Sequence, residues 1–384
     1  MPALKPLIIL IACLALAAHA GADLIDTEAS HAVIFDHETG EVLWEKNGAA
    51  PMIPASMTKM MTAHIVFDRV KSGELEFDQT FTVSENAWRK GGWASGGSTM
   101  GLAVGDQPTV AELLRGVIIL SGNDACIVLA EGISGTEEAF AAEMTELARE
   151  MGLESATFEN ATGLNDENHR ISAIDLARLA SATIREHPEF YPLYEQESYE
   201  WRGISQPNRN PLLGTMEGVD GLKTGHLEAS GYGLTASGER EGERRILVFN
   251  GMESRQARAR EAERLMRLAF TAFDTREIDP ERLDLPQLEV WMGARSRVGV
   301  ELAEPAQLTA HKRAFPDARV EVVHEAPLEA PVEAGAPVAR LVVTMEGETR
   351  LDLPLMARES VERMGFMGKV LEGLRLKIDG GDSG

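Results

Sequence analysis

The chain has 384 residues, which is long for one hydrophobic core and suggests about two domains. Its 61 acidic residues outnumber its 37 lysines and arginines, giving a formal net charge of −24. Binding to DNA or RNA needs a basic surface, so this charge argues against nucleic acid as a partner and against general adhesion to anionic lipid. We interpret the acidity as a solvated surface.

Residues 1–22 are expected to be an export signal rather than part of the fold. Lys5 precedes an apolar run over residues 7–17, and residues 18–20 have the A-x-A form of a cleavage site. The run is shorter than the roughly 20 residues that span a bilayer. An uncleaved N-terminal anchor and a lipoprotein signal ending at Cys13 remain alternatives.

Cysteine usage is sparse, with only Cys13 and Cys126 in the chain. Cleavage after Ala20 leaves Cys126 alone, so no intramolecular disulfide can form in the mature protein. Because Cys126 lies in an apolar stretch, we expect a buried, unreactive thiol.

The first structural elements predicted are a hairpin over residues 31–47 and a helix that begins at Ser56, after the chain break at Pro54. The apolar helical positions are Met57, Met60, Met61, His64 and Ile65. We interpret the methionines as core residues. His64 is interpreted as a packed helix residue rather than a catalyst or a metal ligand.

The middle of the chain is rich in predicted helices, and strand-like segments follow. The helices are expected at 110–120, 124–131, 137–151, 174–185 and 255–273, and the strands at 219–224, 232–236 and 245–249. This combination predicts an α+β domain, which we bound at 25–273.

The C-terminal part changes character. Apolar and polar residues alternate with period two after residue 274, which predicts a smaller all-β sandwich domain over 280–357. Residues 360–378 return to helical spacing and carry interspersed cations. We expect an amphipathic helix that anchors the protein at a membrane surface, the alternative being a helix packed on the β domain.

Three short motifs in the first domain carry the chemistry. They are Ser56-Met57-Thr58-Lys59, Ser121-Gly122-Asn123 and Lys223-Thr224-Gly225. Each alone is weak, but their order and their intervals of 65 and 102 residues match the S-x-x-K, S-D-N and K-T-G set of activated-serine enzymes.

Ser56 is the candidate nucleophile and Lys59 the candidate base. A serine hydroxyl is weak until a neighbouring base takes its proton, and a residue three positions along a helix lies on the same face. The lysine must be neutral to act as a base, so its pKa must be lowered by burial or by a second cation. Lys223 is the natural second cation.

The other motif residues are expected to surround the substrate. Ser121 is placed to relay a proton to the leaving amine, and Asn123 to hydrogen-bond the substrate backbone or Lys59. Lys223, Thr224 and Gly225 offer a cation, a hydroxyl and a strand edge for an extended peptide. The backbone N–H groups of Ser56 and His226 are candidates for an oxyanion hole.

These motifs and the sequences that flank them resemble those of the low-molecular-mass penicillin-binding proteins. The resemblance is specifically to the D-alanyl-D-alanine carboxypeptidases of the penicillin-binding protein 5 type (peptidase S11). The resemblance covers nearly the whole mature chain. The matching segments include residues 120–126, 208–210, 212–213, 219–226 and 260–263.

The resemblance implies a serine β-lactamase/penicillin-binding-protein transpeptidase-like fold with a C-terminal β-sandwich. It implies a serine carboxypeptidase that acts on peptidoglycan stem peptides, is acylated by β-lactam antibiotics and lies at the periplasmic face of the inner membrane. It also implies that Arg209 and Lys223 meet the terminal carboxylate of the peptide and that Arg260 supports the same region.

Three alternative functions stay open. A D,D-endopeptidase on cross-linked peptidoglycan would use the same residues. A β-lactamase would need a glutamate to activate water, usually in E-x-x-L-N, and residues 158–165 lack that spacing. A non-catalytic peptidoglycan-binding module would tolerate loss of Ser56 or Lys59, and both are present. No H-E-x-x-H or C-x-x-C motif occurs, so no metal and no cofactor are predicted.

Overall fold

The computed structural model describes residues 25–164, 166–278 and 283–365. The expected export signal therefore lies outside the described residues, as does most of the predicted C-terminal helix. No helix within the described ranges is long and apolar enough to cross a membrane.

The α-helices and β-strands are numbered in chain order. The helices are α1 Lys59–Lys71, α2 Glu85–Gly91, α3 Val110–Ile118, α4 Asn123–Ser134, α5 Glu137–Glu150, α6 Ala173–Glu186 and α7 Arg255–Thr271. The strands are β1 His31–Asp36, β2 Val42–Lys46, β3 Pro51–Met52, β4 Ile171–Ser172, β5 Ser198–Trp201, β6 Ile204–Pro207, β7 Val219–Leu227, β8 Gly231–Arg240, β9 Glu243–Met252, β10 Phe273–Ile278, β11 Gln287–Trp291, β12 Arg297–Leu302, β13 Ala306–His311, β14 Arg319–Val323, β15 Leu328–Glu329, β16 Pro337–Met345 and β17 Glu348–Ala357.

A five-stranded antiparallel sheet in the order β2-β1-β9-β8-β7 forms the centre of the first domain. Both of its faces are buried. Val33 and Val248 face a large core shared with α1 and α3 to α6. Ile34 and Leu247 face a second core that is closed by α7. Because helices cover both faces, the central strands are nearly continuous apolar runs. The α+β prediction is confirmed.

The α-helix predicted to begin at Ser56 begins three residues later in the structure. A 3₁₀ turn over Ala55–Thr58 precedes α1, which begins at Lys59. The 3₁₀ turn follows Pro54, and Ala55 has a positive φ of 50°, a conformation that a continuous α-helix excludes. Tight turns of this kind are common at helix N-termini. The turn still places Ser56 and Lys59 side by side.

The C-terminal domain contains a six-stranded sheet in the order β14-β16-β17-β12-β11-β15, and β10 pairs with β13 in a separate ladder. Burial alternates along the strands as the period-two pattern predicts: in β12, Val298, Val300 and Leu302 are buried while their neighbours are not. Apolar residues of β11, β12, β16 and β17 form its core.

The helix predicted from Ser360 does not begin there. Residues 360–365 are extended, with one bridge between Val332 and Val361 and another between Gly293 and Arg363. Val361 is 1% exposed in the core of the β domain, and this burial fixes the segment along the sheet instead of in a helix. The remainder of 360–378 lies outside the described residues.

Candidate active site

Ser56 and Lys59 meet at the N-terminal end of α1. Lys59 Nζ lies 3.0 Å from Ser56 Oγ, 2.8 Å from Asn123 Oδ1 and 2.6 Å from the Thr162 carbonyl oxygen. The last two atoms only accept hydrogen bonds. A neutral amine has two N–H donors and one lone pair, so both donors are used and the lone pair is left for the Ser56 hydroxyl proton. When Lys59 is neutral, the Ser56 hydroxyl can donate to Nζ; when Lys59 is protonated, Nζ donates to Ser56 Oγ.

Burial favours this neutral form. Lys59 is 1% exposed, and its burial lowers the pKa below the ordinary value for lysine, with a further lowering by the Arg209 cation. Of the two causes anticipated from the sequence, burial is therefore the main one. Cys126, beside the same site, is buried and its pKa is raised by burial to about 12, which makes the thiol unreactive as expected.

The second motif lies between α3 and α4. Ser121 has a positive φ of 59°, an unusual conformation that turns the chain sharply before α4 begins at Asn123. Asp124 anchors the facing loop, because its carboxylate accepts the Thr99 hydroxyl at 2.7 Å and the N–H groups of residues 100–102 at 2.8 to 3.0 Å. Sequence reasoning assigned no role to Asp124.

Lys223 on β7 completes the polar centre. Its Nζ donates to Ser121 Oγ at 2.8 Å and to the Thr224 carbonyl at 3.3 Å. Burial lowers the pKa of Lys223 well below the ordinary value, and the positive charges of Lys59 and Arg209 lower it further. Each lysine thus contacts one of the two serines, and a positive charge on Lys59 disfavours a positive charge on Lys223.

Strand β7 is an edge strand of the central sheet, so one side of its backbone has no neighbouring strand among the described residues. Gly225 allows this edge to approach the Ser56 turn closely. A Cβ atom at Gly225 would lie 2.6 Å from the Pro54 carbonyl oxygen and 3.3 Å from the Ala55 Cβ. Gly225 is therefore required for close packing, not for backbone freedom.

A cavity of about 510 Å³ opens over these groups. Its lining includes Ser56, Ser121, Asn123, Arg209, Thr224, Gly225 and His226. Lys59 and Lys223 lie beneath, each almost fully buried. The His226 side chain stacks on Tyr232, with 3.8 Å between ring centroids, and its pKa is lowered by partial burial and by Arg258.

Arginines supply positive charge at one end of the cavity. Arg209 donates to Ser98 Oγ at 3.3 Å, and Arg258 donates to the Arg209 carbonyl at 3.5 Å. The structure does not bring Arg260 to the cavity. Arg255 and Arg258, three residues apart on α7, share the face that lines it, whereas Arg260 lies on another face and is exposed. Sequence reasoning missed Arg258; the i, i+3 spacing of Arg255 and Arg258 is the signal that could have found it.

Thr162 and Gly163 were also missed. The Thr162 carbonyl accepts from Lys59, and Gly163, with a positive φ of 78°, lies so close to Ala55 that a Cβ would meet its carbonyl oxygen at 1.9 Å. These contacts join residues more than 100 positions apart. The sequence Ala161-Thr162-Gly163 by itself does not indicate that this segment contacts Lys59 and Ala55.

The fold and the site together define a serine hydrolase, in which the candidate nucleophile Ser56 contacts a buried lysine, the candidate base. The sequence matches the profile of the family described as D-alanyl-D-alanine carboxypeptidase (peptidase S11) over residues 16–254. Residues 284–363 match the profile of the penicillin-binding protein 5 C-terminal domain.

Individual relatives agree with these profiles. The chain is 35% identical over 350 residues to the D-alanyl-D-alanine carboxypeptidase DacC of Escherichia coli (strain K12), covering 90% of this chain and 87% of DacC. Penicillin-binding protein 5 from Haemophilus influenzae superposes with a TM-score of 0.74 at 31% identity, over 89% of this chain and 100% of that one. The D-alanyl-D-alanine carboxypeptidase DacD from Francisella tularensis superposes with a TM-score of 0.78 at 28% sequence identity. The match covers 94% of this chain and 97% of that one. The chain belongs to the peptidase S11 family of D-alanyl-D-alanine carboxypeptidases, and its architecture is that of penicillin-binding protein 5.

Proposed function

We propose that the protein is a serine-type D-Ala-D-Ala carboxypeptidase that removes the terminal D-alanine from peptidoglycan pentapeptides. The observation that carries the proposal is the contact between Ser56 Oγ and Lys59 Nζ at 3.0 Å, with Asn123 and the Thr162 carbonyl available to accept the two N–H groups of a neutral Lys59. Family membership supplies the substrate class.

The first half of the reaction transfers the acyl group to the enzyme. Ser56 Oγ attacks the carbonyl carbon of the scissile amide while its proton passes to Lys59 Nζ. The proton taken from Ser56 passes from Lys59 to the Ser121 hydroxyl, which gives its own proton to the departing amine nitrogen, so Lys59 is neutral again; Ser121 Oγ is held by Lys223 Nζ at 2.8 Å. The C–N bond then breaks, free D-alanine leaves, and an ester joins the peptide to Ser56.

Water completes the cycle by attacking the ester carbonyl. Lys59 Nζ lies next to the ester oxygen of Ser56, so it takes the proton of the attacking water, and Ser56 leaves as the restored hydroxyl. The products are the shortened peptide and the original enzyme. The N–H groups of Ser56 and His226 are our candidates to stabilise the oxyanion in both halves. Ser56 lies in the first turn of a helix, where N–H groups have no partner within the helix.

The substrate binds as an added strand along the open edge of β7, beside the Ser56 turn that Gly225 allows to approach this strand. Its terminal carboxylate meets the cationic end of the cavity at Arg209, supported by Arg258. A carboxylate held by guanidinium groups in a partly buried site gives strong, oriented binding. Specificity for a free C-terminus follows from this arrangement.

Penicillin should acylate Ser56 and remain attached. The described residues that line the cavity include no carboxylate. Glu159, the one glutamate in the region 158–165 where a β-lactamase base was sought, is exposed and is not among the lining residues. The ester formed with the antibiotic therefore lacks the general base that a β-lactamase provides.

The reaction is tested by mass analysis of products from two substrates, a pentapeptide ending in D-Ala-D-Ala and a cross-linked peptide dimer. Our proposal expects release of D-alanine from the pentapeptide. Cleavage of the dimer alone would identify a D,D-endopeptidase instead. Release that persists after Ser56→Ala would contradict the assignment of the nucleophile.

We further propose that the protein is exported and works at the periplasmic face of the inner membrane, held there by residues 366–378. The support is the signal-like pattern of residues 1–22 and the amphipathic, cation-bearing pattern of the C-terminal segment. With Phe366 as its only aromatic residue, the segment should attach reversibly and in a salt-sensitive manner.

A truncation after Gly365 tests the membrane proposal. An earlier cut near Met356 would remove the last residue of β17 and Val361 from the β-domain core, so it would confuse unfolding with loss of an anchor. We expect full-length protein to sediment with anionic vesicles at low salt, and the truncated protein to stay in solution with its peptidase activity unchanged. Failure of the full-length protein to sediment at any salt concentration would refute the anchor.

A further inference from the structure

A second polar cluster lies outside the cavity, where α1 and the end of α6 meet. His64 and Asp68 are one turn apart on α1, Glu186 is the last residue of α6, and His187 caps that helix. One potential ligand atom from each of the four residues lies within 4.8 Å of the other three. The imidazoles are 1% exposed, whereas the side chains of Asp68 and Glu186 are 43% and 53% exposed.

The proton on His64 can be assigned from its neighbours. The Thr183 hydroxyl donates its single proton to the Leu179 carbonyl at 2.8 Å, so it must accept from His64 Nδ1 at 3.0 Å. His64 Nε2 then faces Asp68 Oδ2 at 3.7 Å and Glu186 Oε2 at 3.8 Å. Both separations exceed the roughly 3.2 Å limit of an N–H···O hydrogen bond.

His187 points to the same place. Within the described ranges, neither of its ring nitrogens has a hydrogen-bond partner, although the side chain is buried. Its Nε2 lies 3.1 Å from Asp68 Oδ1, but the approach does not have hydrogen-bond direction. Buried polar atoms in native proteins are nearly always paired, so a buried imidazole that is 3.1 Å from a carboxylate without a directed hydrogen bond has capacity for a further partner.

We propose that His64, Asp68, Glu186 and His187 form a binding site for a divalent transition-metal ion of the zinc type. Two imidazole nitrogens and two carboxylate oxygens are a ligand set that Zn²⁺ accepts in tetrahedral geometry. With metal–ligand bonds of about 2.1 Å, neighbouring ligands in such a site are roughly 3.4 Å apart. The 3.7 and 3.8 Å separations at His64 Nε2 need only a small closure, which the exposed carboxylates can make.

Two surrounding features suit the same ion. The His64 Nδ1–H bond to Thr183 is the outer contact that orients metal-binding histidines. Asp68 also borders a surface depression lined by Glu74, Glu143, Glu146 and Glu150; Arg69 in the same lining pairs with Glu74 and Glu143, and the remaining negative charge attracts cations. The half-exposed carboxylates give the ion a route from solvent.

The ion would crosslink α1 and α6 and so stabilise their packing. It would take no part in the peptidase reaction. Asp68 is nine residues along α1 from Lys59, or about 13 Å at 1.5 Å per residue. The sequence predicted no metal and a merely packed His64. The Glu186-His187 pair is more than 100 residues away in the chain, so only tertiary packing reveals the ligand set.

Calorimetric titration of the untagged, EDTA-treated full-length protein tests the site. We expect one Zn²⁺ per chain and no comparable binding of Mg²⁺ or Ca²⁺, which prefer all-oxygen ligands. The melting temperature should rise by about 5–10 °C at a hundredfold excess over Kd. Asp68→Asn and His187→Gln should each weaken Zn²⁺ binding by more than the roughly 100-fold that loss of an outer contact causes.

Glu146→Gln, which removes a neighbouring exposed carboxylate outside the ligand set, is the matched control and should bind Zn²⁺ as the wild type does. Acylation by labelled penicillin should be unchanged in all three variants. If His187→Gln fails to fold, the half-exposed Asp68→Asn decides the question. The absence of saturable Zn²⁺ binding, or equal binding by wild type and Asp68→Asn, would overturn the proposal.

Discussion

The catalytic cavity and the C-terminal β domain bury opposite kinds of residue. Around the cavity, Lys59, Ser121, Asn123 and Lys223 are each at most 4% exposed. From residue 287 onward, the described residues include a single buried polar side chain, Thr309, and every other buried side chain is apolar. Burying charge without compensation is unfavourable, so stability alone does not explain the first region.

This contrast separates residues that stabilise the fold from residues that we propose to perform the reaction. The β domain follows the rule that burial removes apolar surface from water. The cavity breaks that rule at the buried lysines and polar side chains that we propose to act on Ser56 and the substrate, and the two apolar cores of the central sheet stabilise the domain that contains it. The following predictions test how strictly this division holds.

Replacing Lys59 with alanine should have the largest effect. It removes the base, and loss of a general base typically lowers a rate by about 10² to 10⁴. The fold should persist, because no buried charge is left without a partner. The acylation rate with labelled penicillin measures the first expectation, and a melting curve measures the second.

Lys71→Ala, which removes an exposed lysine from the same helix, is the control and should acylate normally. An acylation rate within a fewfold of wild type in Lys59→Ala would show that another group is the base.

Arg209→Gln should lower kcat/KM for the pentapeptide by roughly 10- to 100-fold, the range expected when a hydrogen bond to a charged group worth about 1.5–3 kcal/mol is lost. A substrate amidated at its C-terminus should be turned over equally by wild type and variant, because it has no carboxylate to meet the arginine. Steady-state kinetics on both substrates check this.

Arg258→Gln should also weaken the carboxylate site, whereas Arg260→Gln, on the exposed face of the same helix, should not. A larger loss of kcat/KM in Arg260→Gln than in Arg258→Gln would contradict the placement of the cationic end of the cavity.

Two strand glycines give a direct comparison of the regions. A Cβ at Gly225 would lie 2.6 Å from a backbone oxygen beside Ser56, whereas one at Gly299 in β12 would make its nearest contact at 3.8 Å. Gly225→Ala should destabilise the protein by about 1–3 kcal/mol and slow acylation about tenfold. Gly299→Ala should be neutral or slightly stabilising.

Urea unfolding and penicillin acylation of both variants measure these effects. If the two substitutions behave alike, close approach of β7 to the Ser56 turn is not required.

The smallest effect concerns pH. Because the pKa of Lys59 is lowered by burial, the acylation rate should rise as Lys59 loses its proton and level off below the ordinary lysine pKa of about 10.4. Between the lowered and ordinary values the unfolded chain binds more protons than the folded one, so the contribution of Lys59 to the free energy of unfolding rises with pH. A pH–rate profile that keeps rising to the ordinary value would contradict this.

Much of the fold and of the candidate active site could be predicted from the sequence. Ser56, Lys59 and Lys223, which the structure places around one cavity, were singled out because local spacing fixes Ser56 and Lys59 on one turn and because three motifs occur in a fixed order. The hairpin, the α+β domain and the alternating strands followed from hydrophobic periodicity.

What escaped prediction depends on contacts between distant segments. Thr162 reaches Lys59 only through the folded chain, and the helical phase that selects Arg258 over Arg260 depends on where α7 begins. The extended path of residues 360–365 was missed because Val361 fits a helical stripe and a β-sheet core equally well in sequence.

The central claim is that Ser56, activated by Lys59, forms the acyl-enzyme. Mass spectrometry of the protein after incubation with penicillin, followed by digestion, tests it most directly. We predict one added penicillin per chain, located on the peptide that contains Ser56 and absent from Ser56→Ala. An adduct on another residue, or one that survives Ser56→Ala, would contradict the account.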